Sequence, residues 1–180
     1  MIYMFLADGF EEVEALAPLD LMRRAGLSVT TVGIGGRDIC GAHGITVKAD
    51  IADKKFKCDA PKMIFLPGGL PGTLNLAKSD TVIESIKTAV SHNSYIAAIC
   101  AAPSILGDMG LLEGKHAICD PGFEPRLTGA IISETEKVVV DGKFITAAGM
   151  GAALDMGFKI IELLCSKERS EELRHAVIAD

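Results

Sequence analysis

The chain has 180 residues, 49% of them hydrophobic and 23% charged, a balance that suits a single globular domain over residues 1–180 and excludes disorder, collagen or coiled coil for the whole. Lys+Arg total 18 against 24 Asp+Glu, giving a net charge of −6, and there is no basic block, so no nucleic-acid partner is expected. Aromatics are only 5% with no Trp, which argues against a stacking platform for single strands, and no apolar run reaches the roughly 20 residues that span a bilayer, so no membrane role is expected.

Ile2 to Ala7 is a continuous apolar run, the pattern of a strand buried on both faces. It lacks the basic flank and cleavage site of a signal peptide. Asp8-Gly9 ends it. Glu11, Glu12 and Glu14 then open a helix expected to reach Ala25, because acidic residues suit the positive end of a helix. Val13, Leu16, Ala17 and Leu21 are expected on its apolar face, with a kink at Pro18 and a stop at Gly26. Ser28 to Val32 reads as a second strand, Gly33, Gly35 and Gly36 as a loop, and Ile45 to Lys48 as a short extra strand. Met63 to Leu66 is a strand ended by Pro67-Gly68-Gly69. Asp80 to Val90 is helical, with Val82, Ile83, Ile86 and Val90 on one side. Tyr95 to Ile99 is a buried strand that runs into Cys100, and a helix follows from Ala101 to about Met109. Lys115 to Ile118, Val138 to Val140 and Phe144 to Ala147 are further strands, the last two joined by an Asp141-Gly142 hairpin turn. An apolar helix spans Leu154 to Leu164, and a charged helical tail runs from Ser166 to Asp180. This alternation of strands and helices predicts an α/β fold, a mostly parallel sheet with helices on both faces. Such sheets hold ligands outside the carboxyl ends of their strands.

Five cysteines, an odd number with no CxxC pair, predict neither a disulfide framework nor a zinc site, and point to a reducing cytoplasm. The four histidines show no metal-ligand spacing and read as surface positions, so no metal is expected.

Cys100 stands where a strand turns into a helix between small residues. That is the setting of a nucleophile elbow, and a nearby helix start would stabilise a thiolate. Glu14 follows the first strand as Cys100 follows its own. A carboxyl buried beside the thiol should hold its proton to a raised pH and could move it to or from sulfur. Gly68 and Gly69 could bring backbone N–H groups against an oxyanion. Asp120 is a possible third polar group, and Gly149-Met150-Gly151 follows the last strand. Glu11 and Glu12 have no such partner in sequence and read as first-turn helix electrostatics. Cys40, Cys58 and Cys165 read as structural, whereas Cys119 could lie near the same crevice.

Taken together, Ala7-Asp-Gly-Phe-Glu-Glu-Val-Glu14, Asp20-Leu-Met-Arg-Arg-Ala-Gly26, Leu66-Pro-Gly-Gly69 and Ala97-Ala-Ile-Cys-Ala-Ala-Pro103 resemble the ThiJ/PfpI superfamily, specifically its DJ-1 branch. The resemblance implies a flavodoxin-like three-layer α/β sandwich and a homodimer. It implies a nucleophilic, easily oxidised Cys100 hydrogen-bonded to Glu14, with the N–H groups of Gly69 and Ala101 holding an oxyanion and Gly68, Gly149 and Met150 in the pocket wall. It further implies a glyoxalase or deglycase that acts on a small carbonyl substrate without a cofactor, or a redox sensor or chaperone working through oxidation of Cys100, with protection against oxidative stress in either case. Two departures bear on this. Ala101 stands where the protease-like branch has His, which disfavours a Cys-His peptidase. Asp120 and the segment Ala148-Gly-Met-Gly-Ala152 replace the branch's His or Tyr and its Arg-Gly-Pro-Gly-Thr loop.

Overall fold

The computed structural model describes residues 1–179, and Asp180, the end of the expected helical tail, lies outside them. Seven strands form the central sheet: β1 (Ile2–Leu6), β2 (Val29–Gly33), β5 (Ile51–Ala52), β6 (Met63–Leu66), β7 (Tyr95–Ile99), β10 (Val138–Asp141) and β11 (Phe144–Ala147). Their order is β10-β11-β7-β6-β1-β2-β5. Every pairing is parallel except the β10–β11 hairpin, where Asp141 lies opposite Phe144 across the expected turn. Two smaller sheets lie outside it: the hairpin β3 (Asp38–Cys40) with β4 (Thr46–Lys48), and the parallel pair β8 (His116–Ala117) with β9 (Ile131–Ile132).

The continuous apolar runs explain the layering. In a strand, successive side chains point to opposite faces, so an all-apolar strand feeds two cores at once. Met4, Leu6, Phe65, Ala97, Ile99 and Ile145 pack on one face with α1 (Glu12–Arg24) and α5 (Ala153–Leu164). Phe5, Ala7, Ile64, Leu66, Ile96 and Ala98 pack on the other with α2 (Gly72–Ala77), α3 (Asp80–Ser91) and α4 (Pro103–Asp108). Phe5, Phe10, Phe65 and Phe158 are fully buried, each contributing roughly 1.5–3 kcal/mol. The last helix, α6 (Lys167–Ala176), covers α5 through Leu173. This is the three-layer α/β architecture expected.

Several local expectations are corrected. Leu21 is buried as expected and Leu16 and Ala17 pack partly against the core, but Val13 is 43% exposed and the inner face of α1 also takes Glu12, Glu14, Ala15, Pro18, Leu19 and Met22. Two carboxylates thus point inward where an apolar stripe was expected. The helix runs unbroken across Pro18, which packs inside the protein. Val90 is likewise exposed, in the last turn of α3. The strand at Lys115 to Ile118 shortens to β8 and pairs outside the central sheet. The helix after Cys100 starts only at Pro103.

Candidate active site

Three strand ends build the site. β1, β6 and β7 are adjacent and parallel, so the segments leaving their carboxyl ends meet. These segments carry Glu14, the Gly68-Gly69 turn and Cys100. Between β1 and β6 the chain's connections depart in opposite directions along the sheet, the point where open α/β sheets form a crevice.

Cys100 has φ +63°, a left-handed conformation that costs a non-glycine residue about 1–2 kcal/mol. Its neighbours hold it there. The Cys100 N–H donates to the Ala147 carbonyl at 2.9 Å, and the Cys100 carbonyl accepts from the Asp120 N–H at 2.8 Å. The side chain is half-buried and lies beside Glu14: a Cβ on Gly68 would meet both Glu14 Oε2 and Cys100 Cβ.

Glu14 is 1% exposed. Its Oε2 accepts from the Gly68 N–H at 3.0 Å. The glycines are needed at this distance. A Cβ on Gly68 would lie 2.5 Å from Glu14 Oε2 and 2.6 Å from Cys100 Cβ. Gly69 has φ +89°, and a Cβ there would meet the Glu11 nitrogen at 2.3 Å. Ala101, 2% exposed, completes the elbow behind Cys100.

The electrostatics follow from this packing. Burial pushes the Glu14 carboxyl up to about 7, with the charges of Glu11 and Asp120 adding to it and the bonds from Cys100 and Gly68 opposing it. Burial also pushes the Cys100 thiol up to about 12, helped by the charge and hydrogen bond of Glu14 and the charge of Asp120, against the pull of the Gly69 N–H. The raised carboxyl matches expectation. The expected helix-stabilised thiolate does not, because desolvation and two nearby carboxylates outweigh a six-residue helix that begins three positions later. The pair resists a second negative charge and keeps at least one proton through the neutral range.

Asp120, Gly149 and Met150 come together with Lys137 around a cavity of about 320 Å³. Its Asp120 links it to Cys100, whose carbonyl accepts from the Asp120 N–H. Met150 is 55% exposed at its rim. A larger cavity, about 520 Å³, lies apart from this chemistry, beside Asp8, Ile34 and Lys78. Cys119 directly precedes Asp120, whose N–H bonds the Cys100 carbonyl. It is buried in the core on the other sheet face, and burial with the charges of Glu124 and Asp120 pushes its thiol up to about 12.

Two residues read only as helix electrostatics have specific work. The Glu11 carboxylate caps α1 by accepting from the Glu14 N–H at 2.7 Å, which fixes the turn that carries Glu14. Glu12, 4% exposed, accepts from the His43 N–H and bonds His43 Nδ1, both at 2.7 Å, with the Ile45 N–H at 3.4 Å. Burial raises the Glu12 carboxyl, but these bonds outweigh burial and hold it at about 2. His43 is exposed, as expected of a surface histidine, yet it ties the β3–β4 hairpin to α1. Ala42 N–H to the Phe10 carbonyl and Gly9 N–H to the Cys40 carbonyl, each 2.8 Å, complete that seam. Its partners lie more than thirty positions apart, so no local sequence signal marks it. Glu11, Glu12 and His43 are close enough to hold a metal ion, but the Glu12 oxygens are already bonded to the hairpin.

Comparison with known proteins places these features in a lineage. Protein dj-1beta of Drosophila melanogaster is 33% identical over 97% of this chain and 95% of its own length. A protein of Caenorhabditis elegans named glutathione-independent glyoxalase DJR-1.2 is 31% identical over 91% of this chain and 87% of its own. The solved structure of oxidised Toxoplasma gondii DJ-1 superposes with a TM-score of 0.93 at 30% identity, covering 98% of this chain and 97% of that one. The profile of the DJ-1/PfpI family matches residues 1–163, spanning every strand of the central sheet together with Glu14 and Cys100, and the chain belongs to that family.

Proposed function

We infer that the protein is a cysteine-dependent enzyme acting on small reactive dicarbonyls such as methylglyoxal, without a cofactor or metal. The observation that carries this reading is the placement of Glu14, 1% exposed and bonded to the Gly68 N–H, beside Cys100 at the Gly68-Gly69 turn, where a Cβ on Gly68 would meet both residues. The glyoxalase name of the nematode relative supports the substrate class.

A carboxyl raised to about 7 is a matched proton acceptor at neutral pH. As the Cys100 sulfur attacks the aldehyde carbon, Glu14 takes the thiol proton and passes it to the new oxyanion, giving a hemithioacetal and an ionised Glu14. Glu14 then removes the proton from that carbon, forming an enediol, and returns a proton to the adjacent carbon. The product is a hydroxyacyl thioester. Water cleaves its carbon–sulfur bond, releasing a hydroxy acid such as lactate and restoring the thiol. Gly69 and Ala101 N–H groups would stabilise the oxyanion, and Asp120 would orient water or substrate in the adjoining cavity.

The rival reading is a non-catalytic redox sensor or chaperone working through Cys100 oxidation. It draws on resting thiolate, which the raised Cys100 pKa makes scarce. Methylglyoxal consumption and lactate production, measured without glutathione or metal, separate the two. Turnover that disappears in Cys100→Ser and Glu14→Gln supports the enzyme. An inactive wild type with Cys100 confirmed reduced transfers the assignment to sensing. The reading also takes the protein as a cytoplasmic homodimer, with sedimentation the check on assembly. No described helix is long and apolar enough to cross a membrane.

A further inference from the structure

The tip of the β3–β4 hairpin closes on the turn that carries Glu14. Its donors meet the Glu12 carboxylate, which is 4% exposed. The His43 N–H reaches one oxygen at 2.7 Å, with the Ile45 N–H at 3.4 Å, and His43 Nδ1 lies 2.7 Å from the other. These bonds keep Glu12 ionised, so it can only accept, and the proton of the last bond belongs to His43 Nδ1. The ring is exposed, but its bond is charge-assisted and ends on a buried carboxylate, which ranks it among the stronger ones.

The seam has no slack. A Cβ on Gly41 would lie 2.3 Å from Glu12 Oε1. Ahead of Glu12, the Cys40 N–H donates to Asp8 Oδ1 at 2.9 Å, and the Gly9 and Ala42 N–H groups donate to the Cys40 and Phe10 carbonyls. On the active-site side, the Glu11 N–H donates to the Gly68 carbonyl and the Gly68 N–H to Glu14, both at 3.0 Å, while the Glu11 carboxylate caps the Glu14 N–H. Glu12 stands between these two sets of bonds. One short segment, residues 8–14, thus carries the hairpin on one side and the reacting carboxyl on the other.

We infer that His43 is a positioning residue for Glu14: through Glu12, its ring holds the first turn of α1 against the Gly68 turn and so sets how deeply the Glu14 carboxyl is buried beside Cys100. The inference rests on the reading of Glu14 as the working carboxyl. Two consequences follow from the packing. Burial is the first cause of the raised Glu14 carboxyl, so a slackened turn that admits water lowers its titration point. A reacting group displaced by about 1 Å from afar also loses rate, by up to about 100-fold.

The test follows the Glu14 carboxyl carbon by NMR across pH in the full-length protein labelled with ¹³C-glutamate, its signal assigned as the one missing from Glu14→Gln. His43→Ala removes the ring but keeps the backbone donors to Glu12, so the variant should fold. Its Glu14 should titrate about half a pH unit lower than in wild type, and kcat/KM toward methylglyoxal should fall about tenfold. His43→Asn puts an amide N–H where Nδ1–H was and should restore most of both. Gly41→Ala reaches the same seam by a different route, pushing a methyl against Glu12, and should lower the Glu14 titration likewise. Glu14 titrating alike in wild type, His43→Ala and Gly41→Ala would overturn the assignment, as would an Asn variant as deficient as the Ala one. The titration needs no turnover, so an inactive wild type would refute the enzyme reading and leave this test intact.

Discussion

Glu14→Gln should stabilise the protein at neutral pH while removing its activity. The Glu14 carboxyl titrates near 4.5 when free of the fold and is raised to about 7 within it, first by burial. The residue is 1% exposed, so solvent screens it little. At roughly 1.4 kcal/mol per tenfold change in proton affinity, keeping it ionised in the fold costs about 3 kcal/mol. The sign follows from linkage. Between about pH 4.5 and 7 the folded state binds more protons at this site than the unfolded chain does, so stability falls as pH rises and the loss is complete above that window. Glutamine carries no such proton. Its carbonyl can still accept from the Gly68 N–H, and any change in its bond to the thiol is the same at every pH in this range. Cys100 adds no slope, because its thiol stays protonated below pH 8 in either state. The variant should therefore gain about 3 kcal/mol on wild type at pH 7.5 but less than about 1 kcal/mol at pH 5. For a chain of this length the neutral-pH gain corresponds to about 6–12 °C in Tm. Urea unfolding of both proteins at the two pH values measures it directly. Parallel pH dependence, or a variant less stable at pH 7.5 than at pH 5 relative to wild type, would refute the reasoning.

Three further outcomes are expected. Gly68→Ala pushes a methyl against both Glu14 Oε2 and Cys100 Cβ, and should cost about 1–3 kcal/mol of stability and about 100-fold in kcat/KM, read by urea unfolding and dicarbonyl kinetics. Glu12 is held at about 2, below its free value of 4.5, so its stabilisation is present above pH 4.5 and is lost as pH falls toward 2; Glu12→Gln should flatten that limb of the acid unfolding curve. Asp120→Asn removes a charge that raises Glu14, so the acid limb of the kcat/KM–pH profile should move to lower pH by about half a unit, and an unmoved limb would detach Asp120 from the pair.

Much of this was legible in the chain. Met63–Leu66, Tyr95–Ile99 and Phe144–Ala147 lie where their apolar runs place them, because a doubly buried strand needs an uninterrupted run. Cys100 was visible because it directly follows such a run, and Glu14 because it stands in the first turn of the helix after another. What escaped depends on distant partners. β3, β5 and β9 have two or three residues each and exist through docking rather than propensity. α2 opens on Gly72, a poor helix former. Glu12 faces inward because a hairpin some thirty residues on supplies three donors for it. The Cys100 pKa was misjudged because the helix beyond it was expected to start sooner, and the depth of burial around the thiol has no local pattern.

The way the elbow is held has a consequence for how the site could change. The backbone of residue 100 is fixed by main-chain bonds to Ala147 and Asp120 that do not involve sulfur. The position is a socket: the scaffold sets where a reactive atom sits and leaves its identity to the side chain. Exchanging that side chain for another short, unbranched one alters the reagent without moving its mount. One unchanged backbone can therefore serve different chemistries, and the conformational strain is met once, by the fold, for all of them.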